Sequence, residues 1–165
     1  MTLFGEKSRF AIEYTPIDDG NIQSPQCHFT YWIDNQQIGN LAFEASLDDL
    51  IEEIRSILVH RGQRRNSQLF YLPAEEVVRI ITNGLSGKLP ETEGWASYSV
   101  TYSMGHGYPL EEGLRYDIYA IEDGDLARII VSNSDDNALI LETNIHAGEL
   151  DRIFMSAWDL MSELR

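Results

Sequence analysis

Cys27-His28-Phe29-Thr30-Tyr31-Trp32-Ile33, Asp34-Asn35-Gln36, Gln37-Ile38-Gly39 and the run from Ser46 to Gly62 form the stretch that decides the fold. In the first seven residues Phe29, Tyr31 and Ile33 share one face and His28, Thr30 and Trp32 the other. Large residues on both sides predict a central strand with both faces at least partly covered. Asp34-Asn35-Gln36 supplies a tight polar turn, and Gln37-Ile38-Gly39 a short returning strand. From Ser46 to about Arg61, Leu47, Leu50, Ile51, Ile54, Ile57 and Leu58 recur at the spacing of one apolar helical stripe. Ser46 is placed to cap this helix and Gly62 to end it. Asp48 and Asp49 then sit near its positive end, and Arg55, His60 and Arg61 near its negative end.

Upstream, Arg9 to Tyr14 alternates, with Phe10, Ile12 and Tyr14 on one face of a strand that Thr15 and Pro16 end. Residues 17 to 26 carry the turn formers Asp18-Asp19-Gly20-Asn21 and Ser24-Pro25. Downstream, Gln63 to Ser67 is a polar connection whose Arg64 and Arg65 are expected to pair with the chain's own acids. Gln68 to Leu72 reads as a short apolar strand. Pro73 then opens a helix with Val77, Val78, Ile80 and Ile81 inward, and Asn83-Gly84 stops it.

Residues 85 to 94 are a midpoint connection. Beyond it Ala96, Tyr98, Val100, Tyr102 and Met104 alternate with Ser97, Ser99, Thr101 and Ser103, which predicts a strand with its hydroxyl face in water. A glycine-rich turn follows through Met104-Gly105-His106-Gly107. Strands at Leu114 to Glu122 and Asp125 to Ser132 flank Asp123-Gly124, a favoured two-residue hairpin turn. A turn at Asn133 to Asn137 and a strand at Ala138 to Glu142 come next. The last helix runs from Ala147 to Leu164, with Leu150, Ile153, Phe154, Ala157, Trp158 and Met161 inward. Two strand runs, each closed by a helix, predict an α+β fold of antiparallel meander sheets in one domain over residues 1–165. This order is similar to that of the Whirly-type single-stranded nucleic-acid binders.

Charge argues against their function. The chain has 27 acidic and 12 basic residues, a formal charge of -15, and such a field repels nucleic acid and anionic membranes while it attracts basic partners. Acid pairs spread through the chain mark a charged folded surface rather than an acidic tail. The single Cys27 excludes an intramolecular disulfide and suits a reducing cytosol, so a cytoplasmic location is expected. No apolar run is long enough to span a bilayer.

The chemical motifs fail on spacing. His28, His60, His106 and His146 lack an i,i+4 partner or a nearby cysteine pair, so no metal site is expected. Asn133, Asp135 and Asn137 begin like a calcium loop, but Ala138 stands at its glycine position and Asn144 at its glutamate position. Gly84-Leu85-Ser86-Gly87-Lys88 lacks the first glycine of a phosphate loop, because Thr82 stands there. Ser103 lacks the bracketing glycines of a hydrolase nucleophile. Neither an enzyme nor a cofactor is expected.

The run Leu3-Phe4-Gly5-Glu6-Lys7-Ser8-Arg9-Phe10-Ala11-Ile12-Glu13-Tyr14, then Tyr31-Trp32-Ile33, Gln37-Ile38-Gly39-Asn40 and Ser46-Leu47-Asp48-Asp49, resembles the Imm42 family of immunity proteins from bacterial polymorphic toxin and contact-dependent growth inhibition systems. The resemblance implies cytoplasmic binding and neutralisation of a cognate toxin domain, often a nuclease; the sequence leaves the oligomeric state open, with a monomer favoured. The residues that carry it suit the core, so toxin contact is expected in exposed loops. The candidates are Glu111 and Glu112, Asp123 and Asp125 at a hairpin tip, and Asp135 and Asp136. These carboxylates would accept charge-assisted hydrogen bonds from a basic toxin groove. An acidic decoy that occupies nucleic-acid-binding proteins is the alternative; it would bind many basic partners and release them with salt.

Overall fold

Asp34 and Asn35 carry the tight turn, with φ of 49° and 61°, so the two-residue hairpin twists with its strands. In the computed structural model, which describes residues 1–17, 25–39, 44–86, 99–109 and 115–164, this turn joins β3 (Gln26–Ile33) to β4 (Gln36–Ile38). Gln36 belongs to the strand rather than the turn. β3 is central, as its two-sided pattern predicts: it pairs antiparallel with β2 (Phe10–Ile17) on one side and with β4 and β5 (Glu44–Ser46) on the other. β1 (Thr2–Glu6) completes the first sheet against β2.

Pro16 does not end β2, which continues to Ile17 in register with Gln26. β1 reaches only as far as Tyr14, so Pro16 lies where β2 has lost one neighbour, a place that tolerates a missing N–H. Phe10, Ile12, Tyr14, Tyr31 and Leu47 are buried. Trp32 lies on the opposite face, where its indole donates to Glu13 at 2.8 Å and Lys7 Nζ lies 3.7 Å above its ring.

α1 (Leu47–Val59) follows, with Leu47, Leu50, Ile51, Ile54 and Ile57 buried and Leu58 only partly so. Ser46 stands at the cap position but its hydroxyl caps nothing, since the residue also ends β5. The apolar segment after Gln68 is a helix, not a strand: α2 spans Ser67–Phe70, and the Asn66 side chain accepts from the Leu69 amide at 3.0 Å. α3 (Ala74–Leu85) starts one residue later than its sequence suggests, with Pro73 as its cap, and runs through Asn83-Gly84.

The second half holds the larger correction. Ser99–Tyr102 forms a short helix, α4, and the strand β6 occupies Ser103–Pro109, where a glycine-rich turn was expected. Thr101 is buried, so the alternating hydroxyls do not mark a wetted strand face. Residues 87–98 lie outside those described. β7 (Arg115–Asp123), β8 (Leu126–Asn133) and β9 (Leu139–His146) complete an antiparallel sheet in the order β6-β7-β8-β9. Asp123 pairs with Leu126, which shifts the hairpin turn by one residue to Gly124-Asp125. β9 extends four residues past Glu142. α5 (Glu149–Glu163) ends the described chain, and its Trp158 is 36% exposed instead of inward.

Both faces of the second sheet are covered. Ile118, Ala120, Ile129 and Val131 join one cluster with the first sheet, α1 and α5; Tyr119, Ile121 and Ile130 join another with α2, α3 and α4. That coverage explains the near-continuous apolar runs of β7 and β8. The fold is α+β with antiparallel sheets.

Cys27 is wholly buried and its thiol points to the Ala45 carbonyl at 3.5 Å. Burial pushes its pKa up to about 11 from 9.0. The folded state therefore holds the thiol proton more tightly than the unfolded chain. The stability this contributes is fully present below pH 9 and is lost as pH rises toward 11. Native protein is expected to react with an aromatic disulfide reagent far more slowly than denatured protein, which absorbance at neutral pH measures; equal rates would refute the burial.

Candidate functional site

Asp123 ends β7 and Asp125 lies in the Gly124-Asp125 turn that follows. The Ser67 hydroxyl donates to Asp123 at 2.5 Å, and the Tyr71 hydroxyl lies near the same carboxylate. The Ser67 hydroxyl and then the Tyr71 hydroxyl hold Asp123 below the usual carboxylate range, and the nearness of Asp123 raises the Tyr71 hydroxyl. Asp125 is exposed, and its carbonyl accepts from the Ala147 amide at 3.0 Å, which ties the turn to the start of α5. Asn66 and Arg64 pair with the Glu122 backbone, at 2.9 and 2.8 Å, and seat α2 beside this tip.

Asp135 and Asp136 lie in the β8–β9 turn. Asp136 Oδ1 accepts from the Ala138 amide at 3.0 Å, so its carboxylate also serves the turn, while Asp135 projects into solvent. Asp117, buried beneath, accepts from Ser134 at 2.7 Å and fixes the base of this loop. Glu111 and Glu112 lie outside the described residues. Their described neighbours Pro109 and Arg115 pair with each other, and the Ser134 amide donates to the Arg115 carbonyl at 3.0 Å.

These candidates therefore fall into two groups. β8 separates the turns, and eight residues at about 3.4 Å each place them roughly 25 Å apart. Asp123 and Asp125 share one pole of the second sheet; Asp135 and Asp136 belong to the other, beside the ends of the segment that carries Glu111 and Glu112.

Several cations of the described chain are paired with its own acids. Lys7 pairs with Glu13 at 2.6 Å, Arg9 with Glu149, and Arg64 with Asp151 at 2.5 Å. Arg64 thus follows the intramolecular pairing its surroundings predict. A cleft of about 440 Å³ opens between β1 and the start of α5, lined in part by Arg9, His146, Glu149 and Arg152. Among the described residues no three His, Cys, Asp or Glu side chains gather as a metal site. No described helix is long and apolar enough to cross a membrane.

Tyr71 does not stand out in the sequence, because it lies between Phe70 and Leu72 in what reads as an apolar strand. The Asn66 cap is the signal that would have turned that segment into a helix end. Arg128, which bonds the Phe70 and Leu72 carbonyls at 2.7 Å each, leaves no sequence signal.

What the geometry defines is an antiparallel α+β scaffold that presents acidic turns at both poles of one sheet. The Imm42 family, immunity protein 42, matches residues 1–160, and the chain belongs to that family. No curated protein matches it. The crystal structure of CdiI from Burkholderia dolosa AUO158 has the same fold, with a TM-score of 0.76 at 15% identity over 96% of this chain and 99% of that one.

Proposed function

We propose that this chain is an immunity protein that binds a cognate bacterial toxin domain in a stoichiometric complex and neutralises it by covering its active site or substrate-binding surface. Membership of Imm42 over residues 1–160 carries the reading. The fold likeness to a CdiI supports placing it in contact-dependent growth inhibition, in the cytoplasm of the protected cell. The charge of -15 supports a toxin with a basic surface, as a nuclease has. Such enzymes hold phosphate with lysine and arginine, and carboxylates from Asp123, Asp125, Asp135 and Asp136, with Glu111 and Glu112, compete for those groups. The protein works as a monomer by occupancy, without catalysis or cofactor, and takes neither nucleic acid nor membrane as partner.

Coexpression with the toxin domain encoded immediately upstream is expected to yield a complex that copurifies and to protect cells from that toxin. The acidic field predicts an association rate that falls roughly tenfold or more from low to high salt. Absence of both complex and protection would overturn the reading.

A further inference from the structure

Tyr71 is 75% exposed yet held from several sides. The buried Arg128 donates through Nη1 to the carbonyls of Phe70 and Leu72, one on each flank, at 2.7 Å each, and through Nε to Glu142 at 2.8 Å. The Phe70 and Tyr71 rings meet edge to face at 5.2 Å, and the Tyr71 hydroxyl lies near the Asp123 carboxylate. A buried guanidinium is costly unless its bonds are made, and here those bonds fix the backbone under a ring that faces solvent. A side chain already fixed has little freedom left to lose on binding, which is why rigid tyrosines dominate many interfaces. Asp125 and Leu126 are exposed beside it at the hairpin tip.

The geometry points to Tyr71, with Asp123, Asp125 and Leu126, as the anchor of the surface that holds the toxin domain, and to an arginine- or lysine-bearing face of the toxin as its occupant. This deepens the proposed function and rests on it, selecting one pole of the second sheet. Charge decides the occupant. The chain carries -15 overall, and Asp123 interacts with the Tyr71 hydroxyl while Asp125 stands two residues on in the same hairpin. Arg65 lies near Asp123, whereas Asp125 is exposed and its carboxylate pairs with no cation among the described residues. An arginine fits both features, since its plane stacks on a tyrosine face and its nitrogens match a carboxylate.

Calorimetric titration with the toxin domain encoded immediately upstream tests the assignment on the full chain. Tyr71→Ala is expected to weaken binding about 30-fold or more, the mark of a dominant interface residue, with little change in thermal unfolding. Tyr71→Phe keeps the ring and should lose a smaller part. Asp125→Asn should slow association and flatten its salt dependence. Asp135→Asn with Asp136→Asn, at the far pole, should weaken binding clearly less than Tyr71→Ala does. A Tyr71→Ala protein that binds within about twofold of the parent overturns the anchor and leaves the proposed function standing. No binding by the parent chain overturns both.

Discussion

Asp151→Ala is expected to lower the free energy of unfolding by about 3–5 kcal/mol, the cost of leaving a buried charge without its partner. The Arg64 side chain is 1% exposed and donates to Asp151 at 2.5 Å and to the Ile57 carbonyl at 2.7 Å. Asp151 also accepts from the Gly62 amide at 3.1 Å, so its removal strips a second donor at the end of α1. Against a typical total of about 5–15 kcal/mol, such a loss would leave a substantial unfolded fraction at physiological temperature. The paired change Arg64→Met with Asp151→Leu removes both charges and should recover much of the loss, since a buried pair is often matched by apolar residues of similar volume. Urea unfolding of the three proteins measures this. A single variant within about 1 kcal/mol of the parent would show that the pair is not desolvated as described.

The second large effect is expected at Phe154, which is wholly buried and joins α5 to the first sheet. Its ring centroid lies 5.8 Å from Phe10 and 6.1 Å from Tyr31. Phe154→Ala deletes an aromatic side chain where three rings meet and should cost about 3–5 kcal/mol, part of it from the cavity left behind. The same change at Trp158, one turn along and 36% exposed, should cost clearly less. Thermal melts of both variants separate the cases. Equal losses would place Trp158 inward, where its spacing had suggested.

Long periodic segments were legible because their signal repeats. α1, α3 and α5 each show several turns of apolar spacing, and β2, β3, β7 and β8 carry runs no loop would tolerate. α2 and α4 are four residues each, too short for a helical period to separate from a strand's alternation. Tyr102 illustrates the ambiguity: it sits on an apparent alternating face, but its burial comes from packing with α2, α3 and the second sheet. Asp125, Asp135 and Asp136 lie in the turns around β8, as their neighbouring turn formers suggest, and Asp123 ends β7 beside one of those turns, while Glu111 and Glu112 lie outside the described residues. The separation of the two turns by the length of a strand follows from register, which no local pattern carries. Tyr71 was hidden for a related reason, since what distinguishes it is a guanidinium 57 positions later in the chain reaching under its backbone.

Arg9 meets Glu149 across 140 residues of chain, and Arg64 meets Asp151 across 87. At about 5–20 residues per second, a ribosome that has released the first of these arginines needs roughly 7–28 s more to deliver its acid. During that interval the amino-terminal sheet has no α5 to shelter Phe10 and Tyr31. Maturation of this protein is thus a late event, gated by capture of its last helix, and nascent chains stalled before that helix should be ready clients for holding chaperones.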